Sequence, residues 1–278
     1  MTDERGTLYV VSTPIGNLGD ITLRALEVLG NVAVVAAEDT RHTRRLWTRH
    51  EIDTPLVSYH AHSDARRRDQ LLDRLRDGED VALVTDAGTP LVSDPGDDLV
   101  TAWLVDAGAV VPIPGASAVL AAIAASGIAG ARWGFEGFLP RKGRERRERL
   151  ERIAEDDRAT VLFEAPGRTA ATLRDLAAAC GEERPAAVCR ELTKRHEEIR
   201  RSNLGDLAAE IGARSLKGEV TIVVAGRETS EDVTDVTIDE GRQQVSALVA
   251  GGLPRSAAAR QVAASTGLPR RDLFDETD

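Results

Sequence analysis

The 278-residue sequence lacks the features that mark membrane, secreted and metal-binding proteins. No apolar run approaches the ~20 residues of a membrane-spanning helix, and MTDERGTLYVVS has neither the basic start nor the apolar middle of a signal peptide. The two cysteines, Cys180 and Cys189, are too far apart for a CxxC site and have no paired histidines nearby, so neither a zinc site nor a disulfide framework is indicated. We expect a cytoplasmic protein without membrane association or bound metal.

Two common nucleotide-binding motifs are also missing. Three glycine-rich turns follow strand-like segments, but none continues into Gly-Lys-Ser/Thr and none matches G-x-G-x-x-G, so an ATP or nicotinamide site is unsupported. Glycine does let a ligand approach the backbone closely, and turns at the carboxyl ends of neighbouring strands can line one crevice. The three turns therefore predict a ligand site: STPIGNLGD (12–20), TDAGTPLVSDPG (85–96) and PIPGASA (112–118).

Composition and charge point to a folded protein with an uneven surface. With 42% hydrophobic and 29% charged residues, the chain is suited to real cores and is long enough for two ordinary domains. The net charge of −10 argues against a wholly nucleic-acid-binding surface. Residues 132–152, however, contain eight basic residues against four acidic ones, so a local basic arm on an acidic body is expected.

Short apolar runs alternate with helix-like segments, which predicts an α/β fold. We expect an amino-terminal α/β domain over 1–126 that carries the glycine-rich turns, and an interdomain linker over 127–142. A second α/β domain with a mixed sheet is expected over 143–228. Residues 229–278 are expected to form an acidic tether and a small helical extension, whose helix, Gly-Gly-Leu-Pro turn and helix outline a helix-turn-helix; a helical cap on the body is the alternative.

Several blocks, taken together, resemble one family: YVVSTPIGNLGDITLRALEVL, AEDTRHTRRL, LVTDAGTPLVSDPG, PGASA and GFLPRKGRERRERL. They are similar to the tetrapyrrole-methylase superfamily and, more narrowly, to its branch that methylates ribosomal RNA of the small subunit. The match runs in order over nearly the whole chain. The first turn, PIGNLGD, is poorer in glycine than the porphyrin-type loop, which favours the ribosomal RNA branch.

The resemblance implies a two-domain enzyme, usually a homodimer, that binds S-adenosylmethionine between its domains. It implies 2′-O-methylation of a cytidine in the decoding centre of 16S rRNA, with the 30S subunit as partner. Motif by motif, it assigns cofactor contacts to the three turns and to two strand ends of the second domain: Pro14, Asp86, Gly88, Thr89, Val92, Ser117, Ala118, Phe163 and Cys189. For Asp94, beside Pro95, we expect a capping role at the helix that follows.

Three residues are candidates for accepting the proton of a ribose hydroxyl. Glu38 and Asp39 follow a buried strand and precede a helix that carries arginines. Asp39 also suits an N-cap position, and that alternative stays open. His60 follows another strand beside Tyr59 and is either a base or a structural residue.

The RNA-binding candidates are basic residues next to the expected cleft. Basic side chains hold phosphates, although a solvated helix face or a charged turn would look the same in the sequence. The candidates are Arg41, His42, Arg141, Lys142, Arg190 and Lys194.

Two other functions are compatible with these observations. The same fold methylates tetrapyrrole carbons, and the substrate that accepts labelled methyl would decide between the two activities. A regulator that binds S-adenosylmethionine and uses its carboxyl-terminal helices on DNA would lose its function if residues 230–278 were deleted.

Overall fold

The structure, a computed structural model, describes residues 5–60, 65–228, 237–266 and 268–273. It divides into two units, one with two sheets and the other with two helices. Among the described residues, no helix is long and apolar enough to cross a membrane.

The first sheet is entirely parallel, as the alternating pattern predicts, with strand order β3-β2-β4-β1-β5. Its strands are β1 (Thr7–Val11), β2 (Val34–Ala37), β3 (Leu56–Ser58), β4 (Val81–Val84) and β5 (Ala109–Ile113). Its helices are α1 (Leu23–Asn31), α2 (Thr40–His50), α3 (Ala65–Arg76), α4 (Asp97–Val105) and α5 (Ala118–Ser126).

The second sheet is mixed, as expected, with order β6-β7-β10-β8-β9; β6 and β7 are parallel and the other pairs are antiparallel. Its strands are β6 (Trp133–Phe138), β7 (Ala159–Glu164), β8 (Pro185–Arg190), β9 (Glu198–Asn203) and β10 (Val220–Val224). Its helices are α6 (Arg144–Glu155), α7 (Thr169–Cys180) and α8 (Leu204–Gly212).

The stretch expected as a linker, 127–142, is not wholly irregular, because β6 lies within it and forms the edge of the second sheet. A register shift between Phe135 and Gly137 explains why the sequence shows no alternation there. One extra residue in a strand reverses the side-chain pattern beyond it, so a period of two is lost.

The central strands β2 and β4 of the first sheet are buried on both faces, which is why β4 is a continuous apolar run. Val81 and Leu83 pack into one hydrophobic cluster with Trp103, whereas Ala82 and Val84 pack into another with Trp47. The second sheet buries one face against α6, α7 and α8 and the other against α5. Helix α5 thus follows β5 of the first sheet along the chain but packs against the second sheet.

The second unit contains α9 (Ile238–Ala250) and α10 (Arg255–Thr266), which pack together through residues such as Val245 and Val262. A capping box between Thr237 and Glu240 begins α9. The acidic part of the expected tether, 229–236, lies outside the described residues.

Candidate active site

The three glycine-rich turns of the first sheet meet at the carboxyl ends of its strands. Thr13 and Gly88 exchange two backbone hydrogen bonds, with N–O distances of 2.8 and 3.0 Å, and the hydroxyls of Ser12 and Thr89 lie 2.8 Å apart. The third turn approaches as closely, because a Cβ on Gly115 would lie 2.9 Å from the Cβ of Ser12. The turns therefore form one wall, at the edge where open α/β sheets bind ligands.

The second turn, after β4, holds an unusual backbone. Leu91 and Ser93 have positive φ angles of 73° and 69°, in the left-handed region that non-glycine residues rarely adopt. Such conformations cost of order 1–3 kcal/mol each and cluster at ligand sites. The turn is thus held in a shape that its own residues do not favour.

Asp94 does not cap the helix that follows, contrary to the expectation. The N-cap of α4 is Gly96, which makes no side-chain capping bond. Gly96 has a φ of 124°, and a Cβ there would lie 2.5 Å from Leu83 Cδ2, so only glycine fits. Because the chain enters α4 through this glycine, the Asp94 side chain is left to line a cavity.

That cavity, here called the apolar cavity, has a volume of about 430 Å³. The three turns form one side of it, and the ends of β6, β7 and β10 form the other. Its apolar wall includes Ile15, Val92, Phe138, Phe163 and Pro166. A volume of this size with a few polar groups is typical of small-molecule sites.

Five carboxylates line the apolar cavity, and three of them, Glu38, Asp86 and Asp94, lie on the side formed by the first sheet. Glu38 Oε2 accepts hydrogen bonds from the Thr85 hydroxyl at 2.7 Å and the Asp86 backbone N–H at 3.3 Å. Burial, and next the negative charge of Glu38, raise the pKa of Asp94 to about 6 and also raise the pKa of Asp86. The cluster therefore favours a cation or a proton beside it.

A second and larger cavity, here called the basic cavity, has a volume of about 900 Å³. Its basic side chains are His42 and Arg45 from α2 together with Lys194 and Arg195 from the turn between β8 and β9. The two cavities share four lining residues, Ile15, Asp86, Ala87 and Glu219, so they adjoin there.

The turn between β8 and β9 is held by charge pairs. Lys194 Nζ lies 2.8 Å from Glu191 Oε1 and 2.9 Å from Glu219 Oε2. The lysine stem crosses to the first sheet, where a Cβ on Gly16 would lie 2.3 Å from Lys194 Cγ. Thr193, at φ 65°, has a buried hydroxyl that finds no hydrogen-bond partner among the described residues.

The structure brings most of the predicted cofactor residues together. Pro14 lines the basic cavity, and seven others line the apolar cavity: Asp86, Gly88, Thr89, Val92, Ser117, Ala118 and Phe163. Cys189 lines neither. It shares a row across the sheet with Thr221 and Phe163, but it lies against the underside of α5, where burial raises the pKa of its thiol to about 11.

The three proton-acceptor candidates lie in different surroundings. Glu38 lines the apolar cavity, whereas Asp39 and His60 line neither cavity. Asp39 caps α2, and the hydrogen bond from the Arg41 side chain lowers the pKa of its carboxyl to about 2. A carboxylate held in this way is a weak base.

The basic candidates divide as well. His42 and Lys194 line the basic cavity, whereas the other four do not. Arg41 pairs with Asp39 at 3.0 Å, and Arg190 pairs with Glu198 at 3.1 Å. Arg141 and Lys142 are exposed in the segment before α6.

Sequence reasoning missed several lining residues, above all Phe138, Glu164, Arg195, Glu219 and Thr221. Thr221 could have been found, since it lies directly between Phe163 and Cys189 in the sheet once β10 is paired. No sequence pattern marks Arg195 and Glu219 as lining residues, because charged residues beside a glycine or in a turn are common.

Comparison with known proteins identifies the family. Residues 7–208 match the Tetrapyrrole (Corrin/Porphyrin) Methylases. The ribosomal RNA small subunit methyltransferase I of Synechocystis sp. is 48% identical over 269 residues, which are 97% of this chain and 96% of that protein. The protein of the same name from Bacillus subtilis is 37% identical over 98% of this chain and 94% of its own length. The chain belongs to the tetrapyrrole methylase family, in its ribosomal RNA small subunit methyltransferase I group. It is therefore a methyltransferase.

Solved structures of tetrapyrrole methylase fold share the architecture. The methyltransferase CobJ superposes with a TM-score of 0.63 at 19% identity, over 80% of this chain and 94% of its own. A uroporphyrin-III C-methyltransferase from Thermus thermophilus, complexed with S-adenyl homocysteine, gives a TM-score of 0.58 at 19% identity over 79% of this chain and 97% of its own. Because both identities are only 19%, these superpositions establish the fold of this methyltransferase and nothing about its substrate.

Proposed function

We propose that the protein transfers a methyl group from S-adenosylmethionine to the ribose 2′-oxygen of a cytidine in the decoding centre of 16S rRNA. The observation that carries this proposal is the pair of adjoining cavities. One is small, apolar and rimmed by carboxylates, and the other is larger and basic. Two reactants of opposite charge, a sulfonium cofactor and a polyanion, fit this arrangement. The names of the relatives supply the class of RNA.

The apolar cavity fits the cofactor by chemistry as well as size. Glycine at 88, in a positive-φ conformation, keeps the second turn free of side-chain atoms where a ligand would lie against it. Glu38, Asp86 and Asp94 favour the positive charge of a sulfonium. Ser117 and Ala118 lie at the amino end of α5, where free amides and the helix dipole suit a carboxylate.

The basic cavity suits the RNA backbone. His42, Arg45, Lys194 and Arg195 converge on it from both sheets, and cationic side chains at a groove hold phosphates without reading sequence. Arg41, Arg141, Lys142 and Arg190 lie outside this cavity, and we retain them as outer phosphate contacts of a longer RNA.

The proton of the ribose hydroxyl needs an acceptor. A methyl transfer to oxygen forms an O–CH₃ bond, breaks the S–CH₃ bond and releases one proton. Bound S-adenosylmethionine supplies an electrophilic methyl whose leaving group is a neutral thioether, so alignment and exclusion of water supply much of the acceleration.

We assign the proton to the carboxylate cluster. Asp94 has a pKa of about 6, close to working pH, which makes it a better acceptor than Asp39. Asp86 lies where the two cavities adjoin, and Glu38 orders the cluster through Thr85. We keep His60 only as a less favoured candidate for the proton acceptor, because it lines neither cavity.

Three further proposals follow from family membership. We propose that residues 1–126 and 143–228 act as two domains that share the cofactor, that 229–278 serve as an accessory segment, and that the enzyme works as a homodimer in the cytoplasm. Sedimentation of the purified protein tests the dimer.

The central test is transfer of tritiated methyl from S-adenosylmethionine to 30S particles from cells that lack this protein, followed by mapping of the labelled nucleotide. A single labelled ribose on a cytidine of the decoding centre is the expected result. Label on a base, or none on 30S particles or free rRNA, overturns the proposal. In that case a porphyrinogen is the next substrate to test, since the fold also methylates tetrapyrroles.

A further inference from the structure

The phenylalanines of this chain are few and are concentrated at one place. Of four in the whole sequence, three form one cluster: Phe138 and Phe163, which line the apolar cavity, and Phe135, which packs against Phe163. The rings of Phe135 and Phe163 meet edge to face with centroids 5.0 Å apart, and those of Phe138 and Phe163 are tilted with centroids 5.6 Å apart. Most of the phenylalanines of this aromatic-poor protein therefore lie in one cluster at the wall of the apolar cavity.

A bulge in β6 creates this cluster. In a regular strand, side chains three positions apart point to opposite faces. The register shifts between Phe135, which pairs with Val161, and Gly137, which pairs with Leu162, so Phe138 pairs with Phe163. Gly137 has a φ of 62°, as a glycine bulge requires. The bulge therefore brings Phe138 to the same face as Phe135, and bulges beside active sites commonly re-aim a side chain in this way.

The backbone around Phe138 is fixed by arginines. Arg149 donates to the Glu136 carbonyl at 3.2 Å, Arg168 to the Leu139 carbonyl at 3.2 Å, and Arg146 to the Pro140 carbonyl at 2.9 Å. Leu139 itself is buried. The backbone position of Phe138 is thus set from both sides, which lowers the entropy lost when a ligand contacts this segment.

Phe138 is nevertheless 53% exposed, although it lines the apolar cavity. Phe135 and Phe163 are half-buried behind it. A large aromatic ring on a fixed backbone, packed against Phe163 and still exposed, can be reached by a second reactant after the cavity has been filled. Within the proposed reaction, that second reactant is the RNA.

We propose that Phe138 is the stacking platform for the target cytosine, which leaves the RNA stack so that its ribose reaches the cofactor. Single-stranded and extruded bases are held on aromatic rings in this way. The inference rests on the proposed function and adds a substrate-binding residue to it. Phe163, deeper in the same cluster, supports the ring from behind.

The test compares variants of the full-length protein on 30S particles from cells that lack it. Replacing the ring, as in Phe138→Ala or Phe138→Leu, is expected to raise the KM for 30S about 10-fold, the scale of one lost base stack. The dissociation constant of S-adenosylmethionine, measured by calorimetry, is expected to stay unchanged. Phe138→Tyr and Phe138→Trp are expected to restore the KM, because a stack needs a ring and not merely apolar volume.

The control is Leu104→Ala, which removes a comparably exposed side chain that lines neither cavity. Weaker cofactor binding by Phe138→Ala would show that the ring contacts the cofactor instead, and a changed sedimentation coefficient would show that a second copy covers it; either result overturns the proposal, as does full restoration by Phe138→Leu. If wild type itself leaves 30S unlabelled, the proposed function fails and not this inference alone.

Discussion

The apolar and basic cavities adjoin and share Asp86 and Glu219, yet the charged side chains that they do not share are of opposite sign. The apolar cavity gathers Glu38, Asp86 and Asp94 with apolar side chains, whereas the basic cavity gathers two arginines, a lysine and a histidine. Their backbones differ as well, since glycine and strained turn residues line the first, whereas helix α2 supplies two of the four basic side chains of the second. A two-reactant enzyme needs this difference, because each reactant must be rejected by the other's site.

Asp94 provides the largest test of the difference. Asp94→Asn is expected to lower kcat at least 100-fold, the usual scale for loss of a proton acceptor, while cofactor binding persists. In the wild type, kcat is expected to rise with pH through about 6, because only the ionised carboxylate accepts a proton. Asp97→Asn, in the exposed first turn of α4, is the matched control and should leave both unchanged.

Asp94→Asn should also be more stable than wild type. A carboxyl whose pKa is raised on folding binds protons more tightly in the folded state, so it costs stability as pH rises from 4 towards and above 6. Removing that cost is expected to stabilise Asp94→Asn by about 1–2 kcal/mol at pH 7 and not at pH 3. An inactive variant with a lower Tm would instead indicate that Asp94 supports the fold.

Gly88 tests the apolar cavity by itself. Gly88→Ala places a Cβ at a φ of 85° and 3.4 Å from Ile15 Cγ2. We expect cofactor affinity to fall about 10-fold because the ligand loses close approach to the backbone, and stability to fall by about 1 kcal/mol. Gly127→Ala has a similar φ of 74° with no atom near the new Cβ and should lose stability alone. Equal cofactor affinity in Gly88→Ala and Gly127→Ala would show that the cofactor does not approach Gly88.

Arg45 tests the basic cavity by itself. Arg45→Ala is expected to raise the KM for 30S about 5-fold and to reduce the slope of log affinity against log salt by about one, as loss of one phosphate contact does. Cofactor affinity should not move. Arg74→Ala, which breaks a surface pair with Glu79, should change neither. An unchanged salt slope in Arg45→Ala would remove Arg45 from the RNA path.

The two cavities were not equally visible in the sequence. The side of the apolar cavity that the three turns form was predicted, because glycine and proline after a buried strand have few explanations other than a shaped turn. The position of Asp94 in the cavity lining was missed, since Asp before Pro is also a common cap, and the structure assigns the N-cap to Gly96. Cys189 lies in the same row of the second sheet as Phe163, but on β8, with β10 between the two strands, and it lines neither cavity.

The basic cavity was predicted only in part, because charge along a chain does not show which arginine finds a carboxylate. Arg41 and Arg190 pair with Asp39 and Glu198, whereas Arg195 lines the cavity. Strand β6 was missed because its bulge removes the alternation that marks a strand.

Thr193 gives the smallest expected effect and tests whether the β8–β9 turn is built for a ligand. Its hydroxyl is buried without a partner among the described residues, which costs free energy that a methyl group would not. Thr193→Val keeps the branched shape at φ 65°, so we expect a gain in stability of about 1 kcal/mol, measured by urea unfolding, with the KM for 30S nearly unchanged. Thr43→Val is the control, because the Thr43 hydroxyl donates to the Asp39 carbonyl at 3.0 Å and its loss should destabilise. A clear rise in KM for Thr193→Val would mean that the hydroxyl finds its partner in the RNA, and would extend substrate recognition from the charged side chains of the basic cavity to a neutral side chain of this turn.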